Sequence, residues 1–151
     1  MVATQMPPAK ARATKETGWR CPRCGRHFLH RTREHSCDVR PLAAHLDRAS
    51  ANVRATFAAI QNMLAEIGPH NVVTVKTMIV LRGRRNFGNL VVRRDTLELE
   101  FLSTRTLHHP RIHKTDRLAA GKYTHHTRLS SPAEVDREVD AWLREAYELG
   151  V

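Results

Sequence analysis

The chain is poor in the groups that usually declare an activity. It has two Trp, two Tyr and four Phe, so aromatics make up 5% of it. Stacking of single-stranded bases would therefore fall to Trp19, Phe28, Phe87 and Tyr123. No G-x-S-x-G elbow and no glycine-rich phosphate loop occurs, which removes the two commonest sequence signs of acyl and phosphoryl transfer. On this ground the chain reads as a binding module rather than an enzyme. No window is apolar enough for a transmembrane helix, and Met1–Lys15 has no long apolar region of the kind a signal peptide carries. No membrane association is expected. With thiolates in use and no export signal, a reducing cytoplasm is the natural compartment.

Only three cysteines are present, and all lie within 17 residues. The stretch Trp19–Cys37 reads W-R-C-P-R-C-G-R-H-F-L-H-R-T-R-E-H-S-C. Cys21 and Cys24 are spaced C-x2-C, so one tight turn can offer two thiolates to one ion. Gly25 can adopt the positive φ that points backbone amides at the sulfurs. His35 and Cys37 are two apart, so an extended segment sends both side chains to the same side. The pattern C-x2-C-x10-H-x-C is a closed Cys3His set suited to structural zinc, Zn2+. Its second pair, H-x-C, departs from the C2H2 finger, and no position is left open for catalysis. His27 and His30 are reserve ligands. Three thiolates and a neutral His leave the site with one net negative charge, which Arg20, Arg23, Arg26, Arg31 and Arg33 can offset.

Charge is the other strong feature. The net charge is +10, and 20 of the 25 basic residues are Arg. Arg binds phosphate bidentately, so a polyanionic partner such as nucleic acid is expected. A genome that encodes Arg by default is the bland explanation. The charge is uneven. Residues 1–40 and 82–128 carry most of the positive excess, whereas 129–151 is acidic.

The periodicities set out an architecture. Residues 1–18, with Pro7, Pro8 and no apolar period, read as a disordered basic tail. Residues 19–38 are the zinc module, and 39–151 an α+β domain. Leu42 and Leu46 suggest a short helix after Pro41. Ser50 is a candidate N-cap for a helix over 51–67, with Val53, Phe57, Ile60, Leu64 and Ile67 in one stripe. Val72–Leu81 is expected to form two short strands or one bent one, and Phe87–Val92 another. Thr96–Leu102 alternates, with Leu97, Leu99 and Phe101 on one face and Glu98 and Glu100 on the other. Ser103–Leu118 reads as a long basic loop. In the strand Gly121–Leu129, His125, Thr127 and Leu129 share one face, and Thr124, His126 and Arg128 the other. Ser131-Pro132-Ala133-Glu134 carries the marks of a helix start, running to about Leu149. The expected whole is a small zinc module followed by an antiparallel sheet, with two long helices packed on one face and the other face polar.

The combination of W-x-C-P-x-C-G-R-x-F…H-S-C, K-T-x-I, F-G-x-L-V-V-R-R-D, H-P-R-I-H-K, H-H-T-R-L-x-S-P-x-E-V-D-x-E-V and W-L-x-E-A-Y resembles domain of unknown function 5655. It is most similar to a subgroup of short bacterial proteins with an N-terminal zinc-ribbon-like module. The resemblance spans about Trp19–Gly150. It implies Cys21, Cys24, His35 and Cys37 as the metal set. It also implies that Lys76, Phe87, His108 to Lys114, His125, His126 and Arg128 belong to a shared pattern. The wider group looks like a domain sometimes joined to nuclease-like modules, which implies a nucleic-acid setting. No catalytic residues carry over.

Candidate residues for anion or nucleic-acid contact are Arg84, Arg85, Arg105, Arg111, His113, Lys114, His126 and Arg128. Those after Arg85 would sit on or around the open sheet face. Mixed charge pairs on a solvated face are the plain alternative. Lys76 is either a buried, tuned lysine or one at a strand end reaching water. A second metal at the His pairs is disfavoured, because adjacent residues in a strand point to opposite faces. The first functional expectation is nucleic-acid binding with a structural zinc. The second is a protein–protein adaptor. The third is a phosphate-ligand binder or enzyme using the open sheet face.

Overall fold

The structure is a computed structural model. It describes residues 18–23, the backbone of 27 and 28, residue 37 and residues 40–151. Of the expected tail at 1–18, residues 1–17 lie outside the described residues, as do Cys24 and His35. The chain divides into two units, Met1–Cys37 and Asp38–Val151.

In the first unit, β1 (Trp19–Arg20) pairs antiparallel with β2 (His27–Phe28), Trp19 opposite Phe28 and Arg20 opposite His27. Cys21 follows β1 directly and is buried.

The second unit begins with α1 (Leu42–Leu46) and α2 (Ala51–Ile67). The Ser50 hydroxyl accepts from the Val53 amide at 3.2 Å and starts α2 at the expected cap. Helix α2 ends where the Gly68 amide donates to the Leu64 carbonyl at 3.0 Å. Val53, Phe57, Ile60 and Leu64 are buried as their spacing requires. Six strands follow in one antiparallel sheet: β3 (Asn71–Thr74), β4 (Ile79–Arg82), β5 (Asn86–Val92), β6 (Leu97–Ser103), β7 (Ile112–Ala119) and β8 (Lys122–Leu129). Helix α3 (Arg137–Gly150) closes the fold. The chain is α+β, as read from its patterning.

The sheet order is β3-β4-β5-β6-β8-β7. Strand β8 sits between β6 and β7, while β7 forms the edge. One face of the sheet presents Ile79, Leu81, Leu90, Leu97, Leu99, Phe101 and Leu129 to a core shared with α2 and with Val139, Trp142, Leu143 and Ala146 of α3. Trp142 stacks on Phe101 with ring centroids 5.1 Å apart and planes 10° from parallel.

Two expectations are corrected. The stretch 103–118 is not all loop, because Ile112–Ala119 is the edge strand β7. Its side chains are mostly exposed and polar, so no apolar alternation marks it; a polar edge also resists pairing with other chains. Likewise, α3 does not start at Ser131. Pro132–Glu134 makes a separate 3-10 turn, and the Glu134 carboxylate accepts from the Ser130 amide at 3.0 Å. Asp136 then caps α3 by accepting from the Val139 amide at 3.3 Å. The α3 cap thus lies five residues beyond Ser131, whose side chain makes no capping hydrogen bond, and Arg111 also contacts Asp136.

Candidate functional site: the open sheet face

Alternation in β6 and β8 puts Leu97, Leu99, Phe101, His125, Thr127 and Leu129 against the core. The same alternation turns Glu98, Glu100, Thr124, His126 and Arg128 to the opposite face. The register makes them neighbours: Glu98 lies opposite Arg128, Glu100 opposite His126, and Leu102 opposite Thr124. On the other side of β8, Lys114 lies opposite His126 and Asp116 opposite Thr124. The grouping expected from alternation is therefore real.

His126 is at its centre. Although it lies on the open face, it is only 6% exposed, because acidic and basic side chains close over it. Its Nε2 lies 2.9 Å from Asp116 Oδ2. Its Nδ1 lies 3.4 Å from Glu98 Oε1 and 3.4 Å from Glu100 Oε1, but neither approach has hydrogen-bond geometry, so the atom is buried without a hydrogen-bond partner among the described residues. The second oxygen of each glutamate has its own neighbour. Glu100 Oε2 accepts from Asn89 Nδ2 at 3.1 Å, and Glu98 Oε2 lies 3.8 Å from Arg128 Nε. His113 Nε2 stands 3.9 Å from Glu98 Oε1. Lys114 Nζ is 3.1 Å from Asp116. Its ammonium, and then His126, hold the Asp116 carboxyl below the usual aspartate range. A groove of about 350 Å³ opens beside the cluster, lined among others by Asn89, Glu100, Asp116, Lys122 and His126.

The electrostatics of this face differ from those of a bare phosphate site. Three carboxylates, Glu98, Glu100 and Asp116, stand among two fixed cations, Lys114 and Arg128. The carboxylates outnumber the cations that touch them, so the cluster does not favour an anion. Sequence alternation revealed Glu98 and Glu100. It did not reveal Asp116, which lies on the strand read as loop.

The remaining basic candidates divide into paired and unpaired groups. Arg105 bridges to Glu145 at 3.2 Å. Arg111 donates to both Asp136 oxygens, at 3.1 and 2.9 Å, and to the Glu134 carbonyl at 2.6 Å; its guanidinium also lies 5.8 Å from the Trp142 ring centre. These contacts pin the β6–β7 connection onto α3. Arg84 and Arg85, in the β4–β5 turn, are exposed and make no ion pair among the described residues. Lys76 is exposed in the β3–β4 turn, so the buried-lysine alternative does not apply. His125 is fully buried in the core, with Nδ1 2.8 Å from Thr115 Oγ1 and Nε2 3.0 Å from the Arg105 carbonyl. It is a structural histidine, and it points away from His126 as adjacent strand residues must.

In the first unit, Cys21 Sγ and Cys37 Sγ are 3.7 Å apart, and neither forms a disulfide. Two zinc–sulfur bonds of about 2.3 Å at the tetrahedral angle separate their sulfurs by about 3.8 Å. The two described cysteines therefore fit one edge of such a site.

The fold is a six-stranded antiparallel sheet backed by helices, with an acid–histidine cluster on the face opposite the core. The family model for a domain of unknown function, DUF5655, matches residues 42–150, and the chain belongs to that family. No curated protein and no solved structure matches it. Among the described residues, no helix is long and apolar enough to cross a membrane.

Proposed function

We propose that this protein binds nucleic acid through its cationic surface and uses one structural zinc, held by Cys21, Cys24, His35 and Cys37, to order its N-terminal module. The observation that carries the binding reading is the pair Arg84–Arg85. These residues are exposed and have no carboxylate partner among the described residues, in a chain of net charge +10. Arg105, Arg111 and Lys114 are tied to acidic residues, so among the candidate residues contact with phosphates falls mainly to Arg84 and Arg85, alongside the basic N-terminal segment. Backbone contact supplies affinity without base reading. The 3.7 Å approach of Cys21 and Cys37 supports the zinc reading. A reducing cytoplasm belongs to the same proposal, because it keeps the thiolates available.

The test is anisotropy titration of the zinc-loaded chain against duplex and single-stranded oligonucleotides at several salt concentrations. Binding should persist near physiological salt, and R84A/R85A should reduce the salt slope by about two released counterions. Binding that vanishes above low salt, or a slope unmoved by the double substitution, refutes the reading. Separately, Cys24→Ser should lower zinc below one per chain, and unchanged stoichiometry refutes the ligand set. A phosphate ligand on the open sheet face is the second reading. It is favoured by the buried, unpartnered His126 Nδ1, but it requires a cation to stand between phosphate and carboxylates.

A further inference from the structure

The geometry points to a second, distinct cation site on the open sheet face. A divalent first-row metal ion would be held there by Glu98 Oε1, Glu100 Oε1 and His126 Nδ1. The three side chains can each bring one ligand atom within 4.8 Å of the others. Two metal–ligand bonds of about 2.1 Å at the tetrahedral angle place their donors about 3.4 Å apart. That is the separation found from Nδ1 to each glutamate oxygen. Both separations from Nδ1 thus match those around a bound ion.

Three further features support a site rather than a chance cluster of acids. First, Nδ1 is a buried ring nitrogen with no hydrogen-bond partner, aimed between the two carboxylates. Burying such a group without compensation is costly, and a metal bond would satisfy it. Second, the opposite nitrogen of the same ring meets Asp116 at 2.9 Å. A carboxylate on the far nitrogen orients a metal-bound histidine and fixes its tautomer. Third, each glutamate has one oxygen turned to a donor, Asn89 or Arg128, and the other turned to Nδ1. That arrangement leaves one ligand oxygen per glutamate directed at the gap.

Three protein ligands leave at least one coordination position free, and the adjoining groove gives a ligand access to it. A phosphate or carboxylate oxygen could complete the sphere. The His, Glu, Glu donor set is harder than Cys3His and suits Mn2+, Fe2+ or Zn2+.

The experiment adds Mn2+ to the full-length chain loaded with a single equivalent of zinc, which the Cys3His set takes first, and counts free ion by electron paramagnetic resonance. Paramagnetic broadening in a nitrogen–proton NMR spectrum locates the ion. One Mn2+ per chain is expected, with broadening centred on residues 98–100 and 126. Glu98→Gln and Glu100→Gln should each weaken binding at least tenfold while the zinc content stays unchanged. Asp116→Asn should weaken it by about 10- to 100-fold through the orientation of His126. Circular dichroism shows whether each variant folds, and the two glutamate variants are independent of each other. No Mn2+ bound up to millimolar concentration, broadening centred elsewhere, or binding unchanged in both glutamate variants would overturn the site. So would a proton found on Nδ1 that metal does not displace. None of these outcomes bears on the zinc module or on nucleic-acid affinity, so the two proposals fail separately.

Discussion

Asp136 makes the sharpest stability prediction, because one carboxylate there serves two contacts. It caps α3 through the Val139 amide at 3.3 Å, and it receives Arg111 Nη1 at 2.9 Å. Losing a helix cap costs about 1 kcal/mol. The ion pair is half exposed, with Arg111 27% and Asp136 46% accessible, so solvent screening limits it to about 0.5–1 kcal/mol. Asp136→Ala should therefore destabilise by about 1.5–2 kcal/mol. Asp136→Asn keeps a capping oxygen and loses only the charge, so it should cost about 0.5–1 kcal/mol. Burial alone would push this carboxyl up, but the Val139 amide and Arg111 outweigh it and hold it below the usual aspartate range. A depressed folded value means the charge contributes fully above the ordinary carboxylate range, about pH 4 and higher. The contribution is lost as pH falls through the lower, folded value. Urea unfolding of wild type and both variants, followed by tryptophan fluorescence at neutral pH and at low pH, measures this. The gap between wild type and Asp136→Asn should be full at neutral pH and close in acid. A cost for Asp136→Ala under about 0.5 kcal/mol would refute the double role. A gap that persists unchanged in strong acid would refute the electrostatic part.

Other predictions follow from the same packing. A Cβ on Gly88 would sit 2.7 Å from the Glu100 backbone carbonyl, which cannot move without breaking the β5–β6 ladder. Gly88→Ala should thus lose about 2 kcal/mol in chemical denaturation, and a neutral result would mean the strands can separate there. Phe101→Ala removes a buried ring stacked on Trp142 and should lose about 3–5 kcal/mol in the same assay. Tyr147→Phe deletes the hydroxyl that donates to the Pro69 carbonyl at 2.9 Å; about 1 kcal/mol is expected, read as a lower urea midpoint at unchanged slope. Arg111→Ala should destabilise the domain with little change in oligonucleotide affinity, since its guanidinium is committed to Asp136 and Glu134.

Functional readings depend on which cations are free. Every basic candidate looked alike in composition, yet Arg105, Arg111 and Lys114 have acidic partners 40, 25 and two residues away in the chain. Arg84 and Arg85 have none among the described residues. A count of Arg residues thus overstates the surface available to phosphates. The face that the alternation of β6 and β8 proposed for anions carries its own three carboxylates, and its central histidine is buried among them.

Local pattern was enough to place α2 to the residue, the two faces of β6, and the opposed directions of His125 and His126. These features follow from backbone periods of 3.6 and 2, which any short window of chain expresses. The match to the domain family likewise rests on residues read in order. Strand β7 was not legible, because an edge strand with few core contacts needs no apolar alternation. The start of α3 was not legible either. Two candidate caps, Ser131 and Asp136, stand five residues apart, and the one that starts α3 also binds Arg111, 25 residues away in the chain. The acid–histidine cluster needed still more: alternation chose the face, but only the strand order β6-β8-β7 brought Asp116 to the far side of His126. Such pairings join residues distant in the chain. Their energies depend on register and on the dielectric of the packed sheet, and neither exists until the chain has folded.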